Sequence, residues 1–211
     1  MKILAIHTAM PKQHSFSTIQ KYTSIVKQPN LGPVKATKAG LEGDAPGNPK
    51  FHGGIDKAVY AYGHQHYAWW QEQYPELSFP VGVFGENLVV EGLDESTLCV
   101  GDQYQVGKVI LEVSTPRIPC LTLSARMGDP EFQKKFLEAL RPGIYLRVLQ
   151  EGELAVGMEW ELIARGEAGL TQVEAFQLYS GTANAESLRI KVANEPRLPE
   201  EWRQKILRAL N

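Results

Sequence analysis

Short runs in which apolar and polar residues alternate make up most of the first 166 positions of the chain. Side chains of a β-strand point alternately to its two faces, so a half-buried strand shows this pattern. Turns rich in glycine and proline separate the runs, which is typical of a β-barrel or a sandwich. The predicted strands are residues 2–7, 34–39, 58–62, 84–90, 103–106, 108–113, 144–149 and 158–163. Residues 8–33 are polar and turn-rich, and they predict a long loop or a ragged hairpin.

Two segments of this region have helical patterns instead. Aromatic residues recur at spacings of three and four within residues 64–74, and we expect these rings to pack rather than to bind a cofactor. Residues 129–131 combine a capping aspartate, a proline at the first helical position and an acidic first turn. A second helix is therefore predicted from this point to about residue 140.

The pattern changes after residue 166, where three helices are predicted. Their signals are a capping box at Thr171 and Glu174, a capping Asn184, and Pro199 at the start of the last helix. The second helix is expected to reach about residue 192 and the third about residue 210. We therefore predict a mainly β domain over residues 1–166 and a small three-helix appendage over residues 170–211.

Composition narrows the class of protein. The chain has 211 residues, of which 22% are charged and 43% hydrophobic, as in ordinary globular proteins. Its net charge of -2 gives no basic surface on average, so nucleic acid is not an expected partner. Two cysteines form no disulfide framework and indicate a reducing compartment, so we expect a cytoplasmic protein. No apolar run approaches the length of about 18 residues that spans a membrane.

The strongest candidate for chemistry is the segment 113–120, where Pro116 and Pro119 predict a stiff loop that presents Cys120 at its end. Arg117 lies three residues before this cysteine and would lower the pKa of the thiol if the loop folds back. A thiol held near a fixed cation suits thiolate chemistry or ligation of a soft metal. A buried structural cysteine after a proline-rich turn remains the alternative.

A glycine-rich loop is the second candidate. His52, Gly53 and Gly54 are followed by Lys57, so the backbone can approach an anion closely while two side chains add positive charge. A phosphate or a polyanionic cofactor tail would suit such a loop, and a simple tight turn is the alternative. The sequence lacks the G-x-S-x-G element of the α/β-hydrolases, which also use an HGG loop.

Glu86 and Asn87 form a polar pair inside the apolar segment 84–90. A buried carboxylate and amide must be hydrogen-bonded, either to the protein or to a ligand. His64 and His66 are two residues apart and diverge on a helix, so they do not predict a zinc site.

Taken together, these residues resemble one family. Five motifs in the same order carry the resemblance, namely Gly40-Leu41-Glu42-Gly43-Asp44, His52-Gly53-Gly54-Ile55-Asp56-Lys57-Ala58, Phe84-Gly85-Glu86-Asn87-Leu88, Val100-Gly101-Asp102 and Pro116-Arg117-Ile118-Pro119-Cys120. They are similar to a MOSC domain, the C-terminal domain of molybdenum cofactor sulfurases. The three-helix tail resembles the stand-alone bacterial subgroup that confers resistance to N-hydroxylated purines, by position and length rather than by motif.

The resemblance implies a β-barrel related to the pyruvate kinase barrel domain. It also implies a molybdenum cofactor of the molybdopterin type, with Cys120 as the catalytic thiolate and metal ligand. The expected reaction is reduction of hydroxylaminopurines, amidoximes and similar N-hydroxylated compounds. The cofactor-binding residues would be His52, Gly53, Gly54, Lys57, Glu86, Asn87 and Arg117. The chain has no flavin or nicotinamide fingerprint, so a separate flavin-dependent reductase is the expected electron donor.

Two alternatives remain open from the sequence. A sulfur carrier or transferase would use the same cysteine to hold a persulfide, and a non-catalytic module would only bind molybdopterin. The oligomeric state is not predicted. For the geometry, we predict that His52, Lys57 and Arg117 line one cavity. Cys120 is expected to open into that cavity, whereas Cys99, in an apolar setting without a nearby cation, is expected to stay inert.

Overall fold

A computed structural model of the protein describes residues 1–17, 19–183 and 186–209. Within these residues the strands are Lys2–Thr8 (β1), Lys12–Ser15 (β2), Gln20–Thr23 (β3), Gln28–Pro29 (β4), Val34–Thr37 (β5), Gly40–Leu41 (β6), Val59–Gly63 (β7), Leu88–Glu91 (β8), Gln103–Val106 (β9), Val109–Pro116 (β10), Ile144–Gln150 (β11), Gly152–Leu154 (β12) and Glu161–Ala164 (β13). The α-helices are Pro49–His52 (α1), Gln65–Gln73 (α2), Leu121–Met127 (α3), Phe132–Ala139 (α4), Gln172–Ser180 (α5), Glu186–Asn194 (α6) and Glu200–Ala209 (α7). A short 3-10 helix lies at Ile55–Lys57.

The centre of the molecule is a sheet of eight strands in the order β13-β9-β10-β11-β7-β8-β1-β4. The sheet curls round on itself, because residues 157–160, just before β13, hydrogen-bond to the start of β1, while β4 pairs with His7 and Thr8 at the other end of β1. The N–H of Ile3 donates to Met158 O at 3.0 Å, and the N–H of Trp160 donates to Met1 O at 3.0 Å. This seam confirms the predicted barrel, which is closed or nearly closed.

Alternation along the strands separates the inside of the barrel from the outside. In β7, Val59 and Ala61 belong to the apolar core inside the barrel, whereas Tyr60 and Tyr62 pack on its outer face. In β1 the register shifts at a bulge between Ile3 and Ala5. An extra residue in one strand changes the facing of those that follow, so both Ile3 and Ile6 reach the inner core.

Aromatic rings fill the space between the outer face of the barrel and helices α2 and α4. Trp70 of α2 is fully buried, with its ring centroid 5.1 Å from that of Phe132 and 5.9 Å from that of Phe136. Its indole N–H donates to the Tyr62 hydroxyl at 2.7 Å, which satisfies the polar atom. The aromatic residues of α2 therefore pack, as the sequence predicts.

Helices α5, α6 and α7 follow the barrel and share a small apolar cluster. Its buried members include Leu178, Val192, Trp202 and Ile206, and the barrel adds Val100. The predicted capping box at the start of α5 is present, because the side chains and backbone N–H groups of Thr171 and Glu174 bond reciprocally. The predicted cap Asn184 and the predicted helix end at Leu210 lie outside the described residues.

Two features near the candidate cysteine differ from the prediction. Strand β10 continues to Pro116 instead of ending at Val113, and Pro116 pairs with Ile144 across an irregularity in the ladder. A proline fits there because a disrupted ladder does not need its missing N–H. Helix α3, which begins directly after Cys120, was not predicted. Among the described residues, no helix has both the length and the apolar character needed to cross a lipid bilayer.

Candidate functional site

A cavity of about 780 Å³ opens beside the barrel. Its walls come from residues 21–27, from parts of the segment 39–60, from Arg117 and residues 120–122, and from Gly85, Asn87 and Tyr145. Volumes of roughly 300–1,000 Å³ are typical of sites for small molecules and cofactors. The cavity is therefore large enough to hold an organic cofactor.

The structure brings most of the predicted site residues together in this cavity. His52, Gly53, Gly54, Lys57, Asn87, Arg117 and Cys120 all belong to its lining. Glu86 and Cys99 do not. The predicted geometry of the His52 loop, Arg117 and Cys120 therefore holds, while the position of Glu86 differs from the expectation.

Cys120 stands at the N-cap of α3, with an extended backbone at φ −126° and ψ 166°. Burial on its own raises the pKa of this thiol. A hydrogen bond with the His52 side chain, the positive charge of Arg117 and the backbone N–H of Leu123 outweigh burial and lower the pKa to about 6. At neutral pH the side chain is therefore mostly thiolate, the form that binds metals and attacks electrophiles.

The His52 loop owes its shape to its two glycines. A Cβ at Gly53 would lie 2.7 Å from Pro49 O, so this position tolerates no side chain. Gly54 has φ +98°, a conformation that favours glycine, with open space beyond it. The Lys57 ammonium donates to Phe51 O at 3.0 Å and ties the loop back on itself.

Arg117 is buried beneath the cavity with 6% of its surface exposed. Its guanidinium donates to Phe84 O and lies 4.8 Å from the centre of the Tyr60 ring. Arginine keeps its charge under such burial, so Arg117 supplies a fixed positive charge to the site.

Glu86 and Asn87 are both hydrogen-bonded within the protein, but Asn87 lines the cavity and Glu86 does not. Glu86 is fully buried outside the cavity lining, and its Oε1 accepts hydrogen bonds from the Tyr67 hydroxyl and from Gly82 N–H. Burial raises the pKa of this carboxyl group. Asn87 Oδ1 accepts from Tyr60 N–H at 3.0 Å. The Asn87 side chain that lines the cavity is therefore held in place by the protein itself.

Sequence reasoning missed Lys27 and Asp44 as site residues. They form an ion pair in the cavity wall, with 6% and 12% of their side chains exposed. Lys27 lies in the segment assigned to loop, and the pairing joins positions 17 residues apart, which no local pattern reveals. Asp44 carried a signal, because it ends the first of the five family motifs.

The cavity is positively charged although the whole chain is slightly negative. Its lysine and arginine side chains are Lys21, Lys27, Lys57 and Arg117. Asp44 is the carboxylate among the described lining residues, and Lys27 neutralises it. Such a lining favours a ligand that carries phosphate or another anionic group.

Arg147 of β11 connects the cavity loop to the C-terminal helices. Its guanidinium bonds Asp56, next to Lys57, and Glu112 of β10 at 2.6 Å. It also donates to the backbone carbonyl of Arg197 at 2.8 Å. Arg147 thus links the loop that carries Lys57 to the segment between α6 and α7.

Cys99 has different surroundings. It forms an isolated bridge with Thr171 rather than a strand position, and it is half-buried. Burial raises the pKa of its thiol, Asp102 raises it further, and Arg165 opposes the shift. The expectation that no cation lies near was wrong, because Arg165 and Lys191 both act on the thiol, but the predicted direction of the pKa shift agrees with the structure.

Comparison with known proteins places this arrangement in a family. Residues 48–161, which include the His52 loop, Arg117 and Cys120, match the MOSC domain. The chain belongs to the MOSC domain family. As a family, MOSC domains are associated with the molybdenum cofactor.

Relatives of the whole chain support the assignment. The uncharacterised protein YflK of Bacillus subtilis is 33% identical over 98% of this chain and 93% of its own length. The crystal structure of YiiM from Geobacillus stearothermophilus superposes with a TM-score of 0.81 at 30% identity, covering 100% of this chain and 99% of that one. A protein named reductase from Gibberella moniliformis is 36% identical over 68% of this chain, which spans only 26% of that longer protein. The likeness to YflK and to the YiiM fold thus covers nearly the whole chain, whereas the MOSC match covers residues 48–161.

Proposed function

We propose that this MOSC protein is a molybdenum-cofactor-dependent reductase of N-hydroxylated compounds such as hydroxylaminopurines and amidoximes. The observation that carries the proposal is the Cys120 thiol, whose pKa is lowered to about 6 inside a positively charged cavity. The name reductase of the Gibberella moniliformis relative points the same way.

The side chains of the cavity fit a molybdenum–pterin cofactor. Cys120 offers a single soft thiolate of the kind that binds such metals, and the cofactor itself would supply further ligands. His52, Lys57, Arg117 and the backbone at Gly53 and Gly54 would hold its phosphate. Asn87 lines the same cavity and would border the pterin, whereas Glu86 would act only by supporting Tyr67 and Gly82.

When bound, the cofactor supplies the two electrons of the reduction, and the protein supplies positioning and electrostatics. His52 and Arg117 keep Cys120 ionised, so the ligand needs no proton removed before metal binds. The buried guanidinium of Arg117 stabilises negative charge near Cys120 and remains protonated itself. A separate flavin-dependent reductase is the proposed electron donor.

The test is to purify the protein from a host that makes molybdenum cofactor and to measure its molybdenum and pterin content. Reduction of an amidoxime or a hydroxylaminopurine by reduced viologen dye is then followed as loss of the N-hydroxylated compound. We expect near-stoichiometric metal and substrate-dependent oxidation of the dye. Full metal and pterin without turnover of either substrate would reject the reductase and leave a cofactor-binding module.

The same thiolate would also suit a sulfur carrier that holds a persulfide on Cys120, because that chemistry too needs an ionised cysteine. Metal analysis separates the two functions. A persulfide on Cys120, detected as a mass increase of one sulfur atom in metal-free protein that transfers sulfur to an acceptor, would favour the carrier.

A further inference from the structure

Lys27 is a cavity residue to which the function described above gives no role. Only 6% of its side chain is exposed, whereas Lys21 in the same wall is exposed. Its ammonium group donates to Asp44 Oδ1. A buried ammonium is costly unless it is paired, so this contact fixes where the Lys27 nitrogen lies.

Asp44 is itself held by groups that do not depend on Lys27. Its Oδ1 accepts from Ala9 N–H at 2.8 Å, and its Oδ2 accepts from Asn87 Nδ2 at 3.0 Å. The Asn87 amide also donates to His7 O at 3.2 Å. Because none of these bonds involves Lys27, Asp44 is positioned independently of the charge on the lysine.

The charged groups that act on Lys27 come from several elements. Burial lowers the pKa of its ammonium group, Asp44 and Glu86 oppose that shift, and Arg117 lowers the pKa further. His7 of β1 also faces this region, and burial together with the charge of Lys27 lowers the pKa of its imidazole. The net effect makes Lys27 a stronger acid than an ordinary lysine.

We infer that Lys27 is the catalytic proton donor of the reduction, an inference that rests on the proposed function. The reaction converts R–NHOH, two electrons and two protons into R–NH2 and water. The electrons come from the reduced electron donor by way of the bound cofactor. As the N–O bond breaks, the departing hydroxyl takes the Lys27 proton and leaves as water. The nitrogen keeps the incoming electron pair and takes the second proton from solvent.

Other polar groups of the cavity suit this role less well. The Tyr60 hydroxyl already donates to Pro142 O at 2.8 Å, and burial raises its pKa. His52 is engaged with Cys120. Both carboxyl oxygens of Asp44 already accept hydrogen bonds, from Lys27 and Ala9 at Oδ1 and from Asn87 at Oδ2. After each turnover, Asp44 and Asn87 would keep the neutral Lys27 amine in place until solvent in the cavity returns a proton.

The test compares Lys27→Arg, Lys27→Met and the matched control Lys35→Met, an exposed lysine of β5 outside the cavity. Lys27→Arg keeps the positive charge but is too weak an acid to donate. We expect both Lys27 variants to retain molybdenum and pterin while kcat falls by about 100-fold or more, the usual size of a general-acid contribution. Lys35→Met should match the wild type.

Two further measurements concern the acidity of Lys27, and the first of them needs no turnover. NMR of 13C-labelled lysine in the apoprotein should give Lys27 a pKa below its ordinary 10.5. The pKa of Lys27 is then measured in the same way in the holoenzyme. The kcat of the loaded wild type should fall as pH rises through that second pKa, because the donor must be protonated. If Lys27→Met misfolds because Asp44 is left unpaired, the double variant Lys27→Met with Asp44→Asn takes its place in the test, because it removes both charges of the pair.

Three outcomes would overturn the inference. Full activity in Lys27→Arg would show that charge alone matters, and loss of cofactor from both variants would make Lys27 an anion-binding residue. An ordinary pKa for Lys27 would remove its distinguishing acidity. A fully loaded wild type that reduces no N-hydroxylated substrate would instead reject the proposed function, and the proton-donor role with it.

Discussion

The two cysteines of the chain have opposite electrostatic surroundings within one fold. Cys120 stands at the N-cap position of α3 in a cationic cavity, where His52, Arg117 and the N–H of Leu123 lower its pKa to about 6 against the effect of burial. Cys99 forms an isolated bridge with Thr171, and burial and Asp102 raise the pKa of its thiol. Burial raises the pKa of both thiols, and only at Cys120 do the nearby charges and hydrogen bonds outweigh it.

Exchanging each sulfur for oxygen should give the largest contrast between the two sites. In Cys120→Ser we expect turnover of N-hydroxylated substrates to fall by at least about 100-fold, since losing even an outer partner of a metal ligand costs 10- to 100-fold. Cys99→Ser should keep turnover within about threefold and lose some stability, because a hydroxyl replaces a thiol in a half-buried site. Steady-state kinetics and molybdenum content are measured for both variants. Comparable losses of turnover in the two would contradict the different roles assigned to Cys120 and Cys99.

At pH 6 the alkylation rate of Cys120 in the apoprotein should exceed that of Cys99 by about tenfold. This figure allows for the lower nucleophilicity of a low-pKa thiolate. Cys120 should reach half its maximal rate with iodoacetamide near pH 6, while the rate at Cys99 should still be rising at pH 9. Peptide mass spectrometry after timed quenching reports both rates in one sample. Two profiles with the same midpoint would contradict the assignment.

Removing the hydrogen bond to Cys120 should make the two sites more alike. His52→Ala is expected to raise the pKa of the Cys120 thiol by about one to two units, because a hydrogen bond to a charged group contributes about 1.5–3 kcal/mol. The exposed His64 provides the matched control as His64→Ala. Thiolate absorbance in the ultraviolet during a pH titration measures the shift, and an unchanged midpoint would remove His52 from the mechanism.

The cysteines should also affect stability with opposite signs as pH rises. The native pKa of Cys120 is lowered from 9.0 to about 6, so the unfolded chain binds more protons between these values. The free energy of unfolding of the apoprotein should therefore rise with pH from about 6 to 9, and that gain is lost as pH falls through 6. Cys99, with its raised pKa, should instead destabilise the protein above about pH 9. Urea unfolding of wild type, Cys120→Ser and Cys99→Ser across pH 6–10 measures both slopes.

The sequence was informative wherever the fold depends on local patterns. Alternation identified the barrel strands, and the capping box at Thr171 identified the start of α5. The seven residues of α3 are too few to show a helical period, so the helix that Cys120 caps went unnoticed. Likewise, no local sequence pattern predicted the irregularity opposite Ile144 that allows β10 to extend to Pro116.

The candidate site was predictable to the extent that single loops define it. The glycines at 53 and 54 and the prolines around Arg117 mark two rigid loops, and the structure brings these loops to one cavity. Pairing across the fold was not predictable, which is why Lys27 was missed. Glu86 shows the converse, since a polar residue in an apolar segment can serve a neighbour such as Tyr67 instead of a ligand.

The barrel seam bears on how the protein is made. Hydrogen bonds from residues 157–160 to residues 1–3 complete the ring, so a ribosome must synthesise about three quarters of the chain before the barrel can close. Contacts so distant in sequence carry a high loop-closure entropy and slow folding. During that interval the start of β1 lacks its seam partner, although β4 pairs with His7 and Thr8 at the other end of the strand. We expect nascent chains stalled before residue 157 to be recognised by chaperones that bind exposed strands.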